Sequence, residues 1–171
     1  MKSPFFLNLV LISFFCSLFV HGQDKPFALF TEDDGLADND VRDIIKDKEG
    51  YLWIGTSNGL SKYDGQKFTN FQVQQGMPGK WVWSVEKDDK NRIYAGCFSK
   101  GLAIIEKDKI VKVLHLEANV KNRIRKLHYS DSHKLMLVGT DYGIYALKDT
   151  TFVLLSYPND PPQKSSVLSI T

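Results

Sequence analysis

One stretch of the chain returns twice, and this repetition limits the possible fold more than any other feature of the sequence. The copies occupy residues 51–60, 92–102 and 135–144, and each holds an aromatic and β-branched run followed by two glycines that flank a short turn. Such a copy predicts two strands joined by a tight turn, because glycine allows the positive φ or the close backbone approach that such a turn requires. The copies recur at intervals of roughly 42 residues, which is the period of β-propeller blades. The sequence therefore predicts an all-β propeller.

The spacing of the apolar residues predicts four strands in each blade. In all three copies the second glycine, at position 59, 101 or 143, is followed at the same distance by an apolar residue that begins another strand. The predicted blades are residues 41–72, 82–114 and 124–157, and residues 166–171 begin a further blade. Residues 25–31 repeat the outer strand of the first blade, so we expect them to form the outer strand of a preceding or closing blade.

The predicted ring is incomplete. At roughly 42 residues a blade, residues 23–171 make about three and a half blades, whereas propellers close with about four to eight. An unfinished blade leaves open strand edges and uncovered apolar faces. We therefore expect the chain to be a fragment of a longer protein, or to need further blades or another chain to close the ring.

The N-terminus predicts a secretory signal peptide over residues 1–22. A lysine at position 2 precedes an almost unbroken apolar run over residues 5–20, and a small residue, Gly22, marks the cleavage position. An uncleaved membrane anchor is the alternative, because the run is only slightly shorter than a membrane span. Cleavage would give a periplasmic or secreted protein with no further membrane contact. Its only cysteine would then be Cys97, which is expected to be a small strand residue rather than a reactive thiol.

Composition and motifs exclude several classes of function. The 171-residue chain is 43% hydrophobic and 25% charged, which is typical of a globular protein, and its formal net charge of +2 is spread without a basic stripe. Nucleic acid is therefore not an expected partner. The histidines lack the spacing of metal ligands, and no nucleophile, phosphate-loop or acid–base motif is present. We expect no cofactor, no metal and no enzymatic activity.

Residues 35–44 and 47–65 closely resemble the two-component regulator propeller repeat, and the resemblance extends less tightly over the later copies. It implies the periplasmic sensor part of a hybrid histidine kinase of the Bacteroidetes type, a group that detects carbohydrates. In such proteins a β-sandwich, a membrane helix and a cytoplasmic transmitter follow the propeller. Any kinase activity would lie in those downstream regions, which this sequence does not contain.

The candidate ligand site is the propeller face where the outer-to-inner connections and the turns between second and third strands meet at the channel mouth. Aromatic rings beside amide and guanidinium donors suit sugar hydroxyls or uronate carboxylates. Arg123 belongs to the same face. The residues predicted to bind a ligand are Asn39, Arg42, Lys80, Trp81, Trp83, Asn122 and Arg125. The alternative is that Trp83 packs against the neighbouring blade and the basic residues are solvated.

Three functions follow from these patterns. The first is a ligand-sensing propeller region of a two-component system, with an oligosaccharide as ligand. The second is a secreted propeller scaffold that binds proteins and has no signalling output. The third is a propeller enzyme of the lyase or quinoprotein type, for which the sequence supplies no convergent acid–base pair.

Overall fold

A computed structural model describes residues 27–98, 100–115, 123–141 and 143–155, and it is built almost entirely of strands. Two short 3-10 turns, Glu32–Asp34 and Val73–Gln75, precede the first and second sheets. The strands are β1 (Val41–Lys46), β2 (Leu52–Thr56), β3 (Gly59–Tyr63), β4 (Phe68–Phe71), β5 (Val82–Lys87), β6 (Ile93–Cys97), β7 (Gly101–Glu106), β8 (Lys109–Leu114), β9 (Ile124–Ser130), β10 (Leu135–Thr140), β11 (Gly143–Lys148) and β12 (Thr151–Leu155).

These strands form three four-stranded antiparallel sheets, in which each strand pairs with its neighbours in sequence. The inner strands β1, β5 and β9 lie side by side, so the sheets stack as successive blades of an open ring. The prediction of an all-β propeller with four-stranded blades is confirmed. The observed blades span residues 41–71, 82–114 and 124–155, compared with predicted ranges of 41–72, 82–114 and 124–157.

The first glycine of each copy permits close approach between blades. A Cβ at Gly96 would lie 2.6 Å from Cγ2 of Ile124, on the inner strand of the next blade. Gly55 meets Val82 of the second blade in the same way, at 3.0 Å. A side chain at either position would push the next inner strand outward. The repeated glycine therefore sets the distance between stacked blades.

The second glycine has a different role. Gly59 adopts a φ of +123°, and an added Cβ would lie 2.5 Å from the carbonyl oxygen of Phe71. The turns between first and second strands also use the left-handed region, at Gly50, Asn91 and Lys134. Lys134 takes this conformation although the sequence offers neither Gly nor Asn there. The third hairpin thus forms at a less suitable residue.

Two apolar cores lie between the blades. The first joins blades one and two and includes Trp53, Leu60, Phe71, Val82 and Ile105. The second joins blades two and three and includes Tyr94, Leu102, Ile104, Ile124 and Leu127. Blades one and two therefore each bury one face of the sheet against the following blade, as the repeat predicts.

Trp53 and Tyr94 occupy equivalent positions, and each is anchored by a buried carboxylate of the preceding turn. The indole Nε1 of Trp53 donates to Oδ2 of Asp47 over 2.7 Å. The hydroxyl of Tyr94 donates to Oδ2 of Asp88 over 3.2 Å. Both rings are almost fully buried. The two blades therefore share one device for fixing a large ring.

Residues 27–31 pair with none of the twelve strands. The repeat pattern predicts residues 25–31 as the outer strand of a preceding or closing blade. That blade and residues 25 and 26 lie outside the described residues, so this expectation stays a prediction. Phe30 packs on Tyr63 and Phe68 of the first blade, with ring centroids 4.9 and 5.7 Å apart. The signal peptide predicted at 1–22 and the further blade predicted at 166–171 also lie outside the described residues. Within the described ranges, no helix has the length and apolar character needed to span a membrane.

Candidate functional site

Three of the predicted ligand-binding residues occupy the same place in successive blades, which is a β-bulge near the start of the inner strand. In blade one, Val41 pairs with Thr56 and Asp43 with Gly55, so Arg42 is the extra residue. The same interruption leaves Trp83 as the extra residue in blade two and Arg125 in blade three. A bulge bends the strand and redirects the side chain of its extra residue. The fold therefore brings Arg42, Trp83 and Arg125 to one face.

Two aromatic rings form the centre of this face. Trp83 stacks on Phe98, with ring centroids 4.7 Å apart and an interplanar angle of 28°. Trp81 packs on the same phenyl ring at 5.7 Å. The backbone N–H of Phe98 donates to the carbonyl oxygen of Trp81 over 2.9 Å, which holds the turn against the connection that enters blade two.

Three guanidinium groups lie over these rings. Arg42, from blade one, lies 4.8 Å from the centroid of Trp83. Arg125, from blade three, lies 5.3 Å from Trp83 and 4.8 Å from Phe98, and Arg123 lies 5.0 Å from Phe98. Arginine favours this position because its planar cation stacks on aromatic faces. We call Arg42, Trp81, Trp83, Phe98, Arg123 and Arg125 the arginine–aromatic cluster.

Two carboxylates hold the arginines in place. Asp141 accepts from Nε of Arg125 over 2.6 Å and lies 3.6 Å from Nη1 of Arg123. Asp40 pairs with Arg42 and accepts from the hydroxyl of Ser57 over 2.7 Å. The hydrogen bond from Ser57, followed by the nearby Arg42 cation, lowers the pKa of Asp40, which therefore stays ionised at neutral pH. With three cations and two anions, the cluster has a positive charge in excess.

The other predicted residues have different positions. Trp81 lies at the edge of the cluster and is 54% exposed. Lys80 lies beside it on a groove of about 450 Å³, with Lys100 and Phe98 also in the lining. Asn39 is bound within its own loop, where it exchanges two hydrogen bonds with Glu32 over 2.9 and 3.1 Å. Its amide oxygen is thus committed to the loop. Asn122 lies outside the described residues.

Phe98 and the two aspartates escaped the sequence reasoning. Phe98 begins the one turn that carries an extra residue between its glycines, and an apolar residue in an irregular turn looks like a local departure from the repeat. Asp141 occupies the corresponding turn of blade three, directly after β10. Phe98 and Asp141 each follow the second strand of their blade directly, beside the bulged residue. An alignment of the three copies would have shown this shared position.

The cluster is suited to binding rather than to bond cleavage. It presents flat aromatic surface and guanidinium forks that match carboxylates, and these features recognise planar or anionic ligands. The exposed fraction of the side chains is 35% for Arg42 and 45% for Arg123, so a ligand reaches both without rearrangement.

Comparison with known proteins gives one family match and one curated relative. The family model described as "Two component regulator propeller" matches residues 35–58. The chain is also 44% identical to histidine kinase P4 of Formosa agariphila over 62 residues, which are 36% of this chain and 4% of that protein. The chain thus spans a small part of the length of this curated relative.

Solved structures show the same fold. An extracellular domain of a hybrid two component system from B. thetaiotaomicron superposes with a TM-score of 0.63 at 22% identity, over 75% of this chain and 19% of that one. A second such domain from B. thetaiotaomicron gives 0.55 at 23%, over 63% and 15%. Virginiamycin B lyase from Staphylococcus aureus gives 0.60 at 11%, over 77% and 44%. At these identities the likeness establishes the propeller architecture alone.

The match at residues 35–58 covers the segment that precedes strand β1, β1 itself, the following turn and strand β2. These are most of the residues on which the sequence resemblance rested. The curated relative carries the name of a histidine kinase. The resemblance to the two-component regulator propeller repeat is therefore confirmed for residues 35–58.

Proposed function

We propose that this propeller is the ligand-sensing region of a two-component regulatory system, located outside the cytoplasmic membrane, and that the arginine–aromatic cluster binds an anionic oligosaccharide. The observation that carries the proposal is the convergence of three guanidinium groups on two stacked rings at one face. The family match and the two extracellular neighbours support the sensing role and the location.

The chemistry of the cluster favours a sugar acid over a neutral sugar. A uronate carboxylate accepts two parallel hydrogen bonds from an arginine fork, while the apolar face of a pyranose ring packs on an aromatic side chain. Neutral hydroxyls would use the rings but leave the excess positive charge of the cluster uncompensated. We therefore expect the carboxylate to contribute most of the discrimination.

The cluster also connects ligand binding to the packing of the blades. Arg42 reaches from blade one to Trp83 of blade two, and Arg123 and Arg125 reach from blade three to Phe98 of blade two. A carboxylate that recruits these cations changes contacts between three blades at once. This provides a physical route by which occupancy alters the propeller that a signalling protein would sense.

The test is calorimetric titration of the full chain with trigalacturonate and, as a neutral comparison, the carboxyl-reduced trisaccharide. We expect the uronate to bind at least about tenfold more tightly, because charge-assisted forks are lost with the carboxylates. An Arg42→Ala/Arg123→Ala variant should lose that preference. A Lys67→Ala/Lys112→Ala variant, which removes two exposed cations elsewhere, should retain it.

Equal binding of the two trisaccharides would contradict the choice of an anionic sugar. Failure of the chain to bind any oligosaccharide, together with binding to a protein partner through the same face, would favour the secreted scaffold instead. Loss of binding in the lysine variant as well would show that the effect comes from overall charge rather than from the cluster.

A further inference from the structure

We infer that the propeller has a second binding site, separate from the arginine–aromatic cluster, which takes a small aromatic carboxylate. The site is a cleft of about 540 Å³ between blades one and two. This volume lies in the range of about 300–1,000 Å³ that is typical of small-molecule sites. The inference goes beyond the proposed sensing function and does not depend on it.

The cleft opens at the opposite end of the blades from the cluster. Arg42 stands near the start of β1, whereas the cleft is bounded by the turn that follows the end of β1 and by its counterpart in blade two. The turn between β7 and β8, residues 106–108, closes the outer side. A ligand here would touch neither Trp83 nor Phe98.

The floor and one wall of the cleft are apolar or aromatic. Trp53, Ile93 and Ile105 line the floor and are almost completely buried. Tyr51 is half-buried in the wall, and the ammonium group of Lys62 lies 4.0 Å from its ring centroid and 5.4 Å from that of Trp53. A flat apolar body therefore finds ring and aliphatic surface inside the cleft.

Three of the four carboxylates that line the cleft are engaged by the protein. Asp47 accepts from the N–H of Tyr51 over 2.9 Å and from Trp53, and Asp108 accepts from Lys62 over 2.6 Å. Glu49 accepts from the side-chain amide of Asn91, which links the turns of the two blades. These anions are neutralised or hydrogen-bonded, so they repel an incoming carboxylate less than free carboxylates would.

The cations of the cleft retain binding capacity. Arg92 uses Nε on Asp88 over 2.5 Å, and within the described residues its two terminal amino groups have no hydrogen bond. Lys90 and Lys107 are exposed, and their ammonium groups make no hydrogen bond to the described part of the chain. Glu106 also lies near them, with an oxygen 4.0 Å from Nε of Arg92, and Asp89 interacts electrostatically with Lys90.

An aromatic carboxylate fits this distribution. Its ring would lie over the apolar floor beside the Lys62 ammonium group, which covers the ring of Tyr51, and its carboxylate would meet the two terminal amino groups of Arg92 with Lys90 and Lys107 at the rim. A neutral aromatic molecule would leave the cations without an anionic partner. A small inorganic anion would leave the apolar floor of the cleft exposed to water.

The experiment uses the full chain with its tryptophan indoles labelled with ¹⁵N, titrated with 2-naphthoate and with the neutral 2-naphthamide. We expect 2-naphthoate to shift the indole resonance of Trp53 in a saturable way, and the amide to bind at least about tenfold more weakly. A Lys90→Ala/Lys107→Ala variant should bind the carboxylate about fivefold more weakly, because it loses two exposed cations. Arg92→Lys, which preserves the charge beside buried Asp88, should lose the fork and weaken binding about tenfold.

Two controls separate this site from the cluster and from general charge effects. Trp83→Ala should leave 2-naphthoate binding unchanged, as should Lys112→Ala/Lys148→Ala, which removes two exposed lysines elsewhere. The inference is overturned if 2-naphthoate produces no saturable shift of Trp53, if the amide binds equally well, or if the Lys90→Ala/Lys107→Ala variant, shown to be folded by its thermal transition, binds as the parent does.

Discussion

The two ends of the blades use the same residue types in opposite ways. At the end formed by the strand-joining turns, buried Asp47 and Asp88 hold Trp53 and Tyr94 by direct hydrogen bonds. At the bulge end, aromatic rings are covered by arginines whose own carboxylate partners lie partly in water. Rings fixed by buried carboxylates stabilise the fold, whereas rings covered by exposed cations are available to a ligand. The turn end therefore fixes the fold and carries the cleft between blades one and two, whereas the bulge end presents the arginine–aromatic cluster.

Asp88→Ala should have the largest effect on stability. Asp88 accepts from the N–H groups of Lys90 and Arg92, from Nε of Arg92 and from Tyr94, so its removal leaves one buried and three part-buried donors without this partner. We expect the free energy of unfolding in urea to fall by about 3 kcal/mol. Asp131→Ala, which removes an 85% exposed carboxylate from the corresponding turn of blade three, is the matched control and should unfold close to the parent midpoint. Equal midpoints for the two variants would break the comparison.

Exchange of one tryptophan at each end of the blades should have the next largest effect on stability. Trp53→Phe removes a buried hydrogen bond to Asp47 and part of a packed ring, and we expect it to cost about 2 kcal/mol of unfolding free energy. Trp83→Phe keeps a ring face under Arg42 and should cost no more than about 0.5 kcal/mol. Urea unfolding of both variants measures the difference, and a larger loss at position 83 would show that the cluster is structural.

The smallest effect is the alkaline titration of Tyr94. Burial, followed by the Asp88 carboxylate, raises the pKa of this phenol from 10.0 to about 12. The neutral phenol therefore stabilises the fold fully below pH 10, and this contribution is lost as the pH rises toward 12. Absorbance at the phenolate band should show one tyrosine ionising last, and its pKa should fall in Asp88→Asn. A Tyr94→Phe variant that retains the late-ionising signal would contradict the assignment.

The sequence predicts the blades and part of the site for a physical reason. The period and paired glycines specify strands, turns and the distance between blades, as Gly96 against Ile124 illustrates. Arg42, Trp83 and Arg125 could be predicted because they keep their place in the repeat. The bulge that redirects them could not, since it leaves no mark in the pattern of apolar residues.

Other features of the site depend on single contacts. Phe98 enters the cluster through an irregular turn, and the amide oxygen of Asn39 is held by the backbone N–H of Glu32. Neither contact can be read from the pattern of apolar residues.

The bulge in each inner strand determines which positions of the surface can vary in sequence. Because the extra residue at positions 42, 83 and 125 has no partner in the pairing register, its identity is not constrained by the hydrogen bonds of the sheet. Each described blade thus offers one position on the face of the arginine–aromatic cluster where a substitution changes the exposed surface while the strands keep their alignment. That surface can vary one blade at a time, without rebuilding the scaffold that presents it.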